Sequence, residues 1–83
     1  MYEIVLHPRA EKELDKVPSK DFLKIDRTIL ELKDNPRPHG VKKLDAELHR
    51  IRVGDWRIIY SIFDHEKRVV ILRVARRNER TYS

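Results

Sequence analysis

The 83-residue chain reads as an α+β domain of order β-α-α-β-β-β, with two helices packed on one face of a small, mainly antiparallel sheet. Three observations predict this. Apolar residues recur at helical spacing in two segments between positions 8 and 33, then at a period of two from His49 onwards. Pro8 opens the first helical segment, and Pro18, the 34–40 loop and Gly54 stand where one segment gives way to the next. No repeat or linker divides the chain, so residues 1–83 form one domain whose core is small.

Residues 2–6, YEIVL, are a β-branched run stopped by Pro8 and read as a strand. Pro8 suits the first position of a helix, PRAEKELDKV, in which Ala10, Leu14 and Val17 form one apolar stripe. Pro18 ends it, and Ser19 is the expected N-cap of a second helix running to residue 33. Phe22, Ile25, Ile29 and Leu32 make its main stripe. Leu23 and Leu30 widen that stripe, so the helix is expected to lie flat on the sheet. Arg27 and Glu31 are spaced to pair on its solvated side.

DNPRPHG, residues 34–40, is a loop, and VKKLDAEL reads as a short extended piece followed by a turn. HRIRV and WRIIYSIF are strands joined by Gly54-Asp55, and glycine in first place suits a type II′ hairpin. DHEK turns the chain again. RVVILRVA is a third strand, apolar enough to be central, and RRNERTYS is a polar tail.

Composition narrows the function. With no cysteine there is neither a disulfide framework nor a thiolate metal site. The longest apolar run, in VVIL, is too short to cross a bilayer, and the first residues lack signal-peptide architecture. The cytoplasm is the expected compartment. The net charge of +5 lies wholly in residues 49–83, where nine Lys and Arg stand against four Asp and Glu; residues 1–48 balance ten against ten. This asymmetry points to an anionic partner such as nucleic acid or an acidic polypeptide, with a merely basic solvated surface as the competing explanation.

On the pleat of the predicted hairpin, Val53 faces Trp56, Arg52 faces Arg57, Ile51 faces Ile58 and Arg50 faces Ile59. His49, Ile51, Val53, Trp56, Ile58, Tyr60 and Ile62 then share the core face. Arg50, Arg52, Arg57, Ile59 and Ser61 share the other. Like charges directly across a sheet oppose folding. A site for a multiply charged anion explains them, because guanidinium forks hold phosphate oxygens bidentately and stay charged at neutral pH. Two alternatives compete: neutralisation by Glu47 or Glu79, and protection of an edge strand.

Arg73, Ala75 and Arg77 share one parity on the last strand and its continuation, with Arg76 and Arg80 beside them and Tyr82 in the tail. A tyrosine near arginines can stack on a nucleobase or move a proton; it can equally be an ordinary tail residue. His7, His39 and His65 show no metal-ligand spacing, and His49 is expected to be a buried, hydrogen-bonded residue opposite Tyr60. There is no phosphate-binding glycine motif and no nucleophile elbow. Any enzyme chemistry rests on arginines and one tyrosine.

LHRIRVGDWRIIYSI followed by VVILRVARRNERTY resembles the core of the RelE/ParE superfamily of bacterial and archaeal toxins. The likeness spans nearly the whole chain. It implies a ribosome-dependent endoribonuclease that cuts messenger RNA by attack of the 2′-hydroxyl, without metal or other cofactor, and that is neutralised by an acidic, RelB-like antitoxin. By the same resemblance the catalytic positions are Arg50, Arg52, Arg57, Arg77 and Tyr82. Arg57 and Arg77 would clamp the scissile phosphate and Tyr82 would stack on a base. Arg73, Arg76 and Arg80 would contact RNA. Arginine at both first-strand positions, where relatives often carry lysine, makes a poor general base and leaves that role to Tyr82 or a ribosomal group. The resemblance also admits a ParE-type toxin acting on DNA gyrase, or a homologue that only binds antitoxin.

Overall fold

The helical and two-residue periods resolve into seven elements in the computed structural model, which describes residues 1–77. They are β1 (Glu3–Leu6), α1 (Pro8–Asp15), α2 (Ser19–Glu31), β2 (Lys42–Lys43), β3 (Leu48–Val53), β4 (Trp56–Phe63) and β5 (Arg68–Arg76). The sheet order is β1-β5-β4-β3-β2. The helices carry the chain from one sheet edge to the other, and the meander β2 to β5 walks back. β5 therefore arrives beside β1 in parallel, while every other pairing is antiparallel.

Both helices are shorter than their stripes suggest. α1 stops at Asp15, though Val17 beyond it is still buried. Ser19 is the first residue of α2 and not its cap; extended Pro18 takes that place, and its carbonyl accepts from Asp21 and Phe22. α2 ends at Glu31, with Leu32 as its C-cap. The helix does not lie flat. Leu23 is 69% and Leu30 49% exposed, because at 100° per residue both fall well away from the buried Ile25 and Ile29. Arg27 and Glu31 do not pair; the i, i+4 ion pair among the described residues is Arg9 to Glu13, at 4.0 Å.

The ambiguous segment holds β2, two lysines that pair with Arg50 and His49 and place charge on the sheet edge. The β3–β4 register is the one the pleat predicts, from Val53↔Trp56 to His49↔Tyr60. Gly54 takes φ 58° and Asp55 does not have positive φ, as a type II′ turn requires and a type I′ turn forbids.

The core joins Ala10, Leu14, Val17, Ile25, Ile29 and Leu32 from the helical half to Trp56, Ile58, Tyr60, Ile62, Val69, Ile71 and Val74 from the sheet. His49 is buried, stacked on Tyr60 at 5.8 Å, with Nδ1 2.7 Å from the Glu47 carbonyl. The Tyr60 hydroxyl donates to the Pro36 carbonyl at 2.8 Å, which seats the 34–40 loop.

One irregularity matters for the site. Ile59 pairs with Arg73, but Tyr60 pairs with Ile71, so Leu72 is an extra residue in β5. This bulge reverses the parity of the strand. Val69 and Ile71 face the core before it and Val74 faces the core after it, which turns Arg73 and Ala75 to the opposite face. Without the bulge the alternation would drive Arg73 into the core.

Candidate functional site

Across the face turned away from the helices, the register sets out two rows: Arg52, Arg57 and Ala75, then Arg50, Ile59 and Arg73. Ile59 is 0% and Ala75 2% exposed, yet neither belongs to the core cluster between sheet and helices. They form a second, small apolar floor beneath the arginines. Water is thereby displaced from the guanidinium stems: the Nε atoms of Arg50 and Arg57 are buried and have no hydrogen-bond partner. A buried donor left unsatisfied costs about 1–3 kcal/mol, more when charged.

Arg77 follows the end of β5 and is tied to the hairpin turn, its backbone N–H donating to the Asp55 carbonyl at 2.7 Å. This brings it towards the arginines of β3 and β4. Burial, together with the charges of Arg52, Arg57 and Arg77, pushes the Arg50 guanidinium below its ordinary pKa. Among the described residues, no carboxylate pairs with Arg50, Arg52, Arg57 or Arg77. A hollow of about 410 Å³ opens beside them, lined by Asp55, Arg57, Arg76 and Arg77. That volume is typical of a small-molecule site.

The remaining expected residues are placed differently. Arg73 is held inside the chain by Glu13 of α1: its Nε lies 3.1 and 2.9 Å from the two carboxylate oxygens and its Nη2 2.7 Å from Oε2. Its guanidinium is thus committed to an internal partner. Arg76 lies with its guanidinium over the Trp56 ring, 4.7 Å from the centroid, while also lining the hollow. Arg80 and Tyr82 lie outside the described residues, as does Glu79.

Neither Glu47 nor edge protection accounts for the arginines. Glu47 forms no ion pair with them and lines a separate hollow with Arg37 and Asp64. Edge protection gives no reason for Arg57, because β4 is the central strand and β2 forms the edge. Sequence reasoning passed over Asp55 and Glu13. Asp55 lies in the predicted turn two residues from Arg57, which was a usable signal; the contact of Glu13 with β5 depends on where β1 ends and had none.

The chain matches, over residues 4–81, the family described as ParE toxin of type II toxin-antitoxin system, parDE. It is 33% identical over 84 residues to a toxin RelE of Mycobacterium tuberculosis, covering 93% of this chain and 82% of that one. Its fold is similar to the archaeal RelE–RelB complex from Pyrococcus horikoshii, with TM-score 0.86, 28% identity and coverage of 94% of this chain and 97% of the other. It is likewise similar to the toxin–antitoxin complex RelBE2 of Mycobacterium tuberculosis, with TM-score 0.80, 29% identity and coverage of 92% and 98%.

Proposed function

Because the chain belongs to the ParE toxin family of type II toxin–antitoxin systems and is RelE-like, we propose that it is a messenger-RNA endonuclease acting on the ribosome. The observation that carries this reading is the convergence of Arg50, Arg52, Arg57 and Arg77 with no carboxylate partner among the described residues, two of them with buried, unpartnered Nε groups. Such an array is unfavourable in the free protein. An incoming phosphodiester relieves it by supplying acceptors and negative charge at once.

In this mechanism the 2′-oxygen attacks the adjacent phosphorus, the bond to the 5′-oxygen breaks, and a 2′,3′-cyclic phosphate and a 5′-hydroxyl result. Negative charge grows on the phosphoryl oxygens and the leaving oxygen. Arg57 and Arg77, at the hollow, hold that phosphate, and Arg50 and Arg52 meet the flanking backbone. Tyr82 stacks on a base beside the cut, on the strength of the resemblance. Arg76 and Arg80 add phosphate contacts, whereas Arg73 is assigned to Glu13. A cognate antitoxin with an acidic segment is the proposed partner, folding on contact and covering the basic face.

The test is a single-turnover reaction of the purified protein with ribosomes carrying a defined message. Cleavage within the decoding site, leaving a cyclic phosphate, is expected. The matched family's ParE name favours one other reading, a toxin that acts on DNA gyrase. An intact message combined with blocked supercoiling would replace the first reading with the second.

A further inference from the structure

The arginines that hold a phosphate do not explain what removes the proton from the attacking hydroxyl. We propose that Asp55 is that proton acceptor, an assignment that rests on the messenger-RNA-cleavage reading above. Among the described residues, the hollow is lined by Asp55 and three arginines. Guanidinium groups have no acceptor and stay protonated at neutral pH, so Asp55 is the lining side chain able to take a proton.

Its position is well held. Asp55 occupies the second place of the hairpin turn, after Gly54 at φ 58°, and its carbonyl accepts from Arg77 at 2.7 Å. It stands two residues before Arg57, and both residues border the hollow. The hairpin therefore carries both the proposed base, in its turn, and a proposed phosphate-binding cation, near the start of β4.

Its carboxylate is also available. Asp64 is engaged by Arg37 and Tyr2, and Glu13 by Arg73 and the Val74 N–H. Asp55 has no ion pair and no side-chain hydrogen bond among the described residues, although it lines one hollow with three arginines. Asp55 borders the same hollow as the cations and forms no ion pair with them among the described residues, which leaves its carboxylate available to a ribose bound there.

A carboxylate oxygen of Asp55 takes the 2′-hydroxyl proton as the O2′–P bond forms. The P–O5′ bond breaks, its electron pair stays on O5′, and water protonates that oxygen. Asp55 then returns its proton to solvent.

The experiment measures single-turnover cleavage on programmed ribosomes across the acidic to neutral range for the wild type, Asp55→Asn, Asp55→Glu and Arg57→Ala. Asparagine suits a turn, and equal thermal melts check that the hairpin survives. Asp55→Asn is expected to lower the rate roughly 10²- to 10⁴-fold and to abolish the acid limb of the pH–rate profile, with ribosome binding retained. Asp55→Glu is expected to restore the limb and part of the rate. If Asp55→Asn keeps the wild-type profile, whether or not its rate falls, Asp55 is not the base and the nuclease reading stands. If the wild type does not cleave, the nuclease reading fails and takes this proposal with it; if the wild type cleaves and Arg57→Ala cleaves as well, the phosphate is not held at this hollow and the proposal fails while the nuclease reading stands.

Discussion

Glu13 of α1 and Arg73 of β5 form the most enclosed ion pair among the described residues, 2.7 Å apart with side chains 22% and 17% exposed. The pair does two things. β1 stops pairing at Ile71, and Glu13 takes over along that edge by accepting from the Val74 N–H at 2.9 Å. It also withdraws one arginine from the basic face, which separates a structural cation from the four that have no such partner among the described residues.

Removing Glu13 should therefore be costly in a way that removing an exposed partner is not. Glu13→Ala removes the carboxylate that both the Arg73 guanidinium and the Val74 N–H bond to and is expected to destabilise by about 1–3 kcal/mol. Arg9→Ala, which loses a 4.0 Å contact from a 63% exposed side chain, should cost less than about 0.5 kcal/mol. Urea denaturation compares the two, and equal effects would contradict the role given to Glu13.

The hairpin arginines predict the opposite sign. Arg52 and Arg57 face each other across β3 and β4, so Arg52→Thr or Arg57→Thr should leave stability unchanged or raise it by about 0.2–1 kcal/mol. Trp56→Ala removes a buried ring, its Nε1 hydrogen bond to Asp21 and its contact with Arg76, and should cost roughly 3–5 kcal/mol. Thermal melts that show both kinds of variant to be equally destabilised would refute the assignment of faces.

Stability should fall at both extremes of pH, for separate reasons. Hydrogen bonds from Arg37 and Tyr2 pull the Asp64 carboxyl down from 3.8 to about 2. Burial opposes ionisation of Glu13, but Arg73 and the Val74 N–H outweigh it and hold this carboxyl below its ordinary range as well. A depressed folded-state value means stability that is present above the unfolded carboxylate range and lost as pH falls, here from about 4 towards about 2 for Asp64. Burial pushes Tyr60 the other way, from 10.0 up to about 12, so its contribution is present below 10 and lost as pH rises through about 12. Asp64→Asn should weaken the acid dependence, and Tyr60→Phe should weaken the alkaline one while leaving the acid one in place, as chemical denaturation at a series of pH values will reveal.

Arg57→Ala and Arg77→Ala should each lower single-turnover cleavage by roughly two to four decades, about 3–5 kcal/mol of transition-state stabilisation. Arg73→Ala should leave the rate of the folded protein within several-fold of wild type, because its guanidinium is bound to Glu13. Ribosome binding should survive each single change, since several arginines share the phosphate contacts. A large loss of rate in Arg73→Ala, with folding intact, would return that residue to the site.

Binding of an acidic antitoxin segment should weaken with salt, because part of the contact is charge. It should weaken further in an Arg52→Glu, Arg57→Glu double variant. Calorimetry that finds neither effect would place the antitoxin elsewhere on the surface.

The sequence by itself determined the class of fold, the order of its elements and the register of the hairpin. These depend on local periodicity: residues at 3.6 spacing make a helix, residues at a period of two make a strand, and Gly54-Asp55 sets which residue faces which. The face of Arg50, Arg52 and Arg57 follows from that register alone. Other features depend on contacts distant along the chain, which no local period encodes. The bulge at Leu72 lies where the pairing of β5 with β1 ends and its pairing with β4 continues, and it decides that Arg73 and Ala75 turn from the core. Glu13 reaches Arg73 across 60 residues because α1 covers the edge that β1 leaves open. Asp55 meets Arg77 because the turn between β3 and β4 lies beside the end of β5. Leu23 and Leu30 looked like core by composition and are exposed, because only the packing of α2 on the sheet selects which side of a helix is buried.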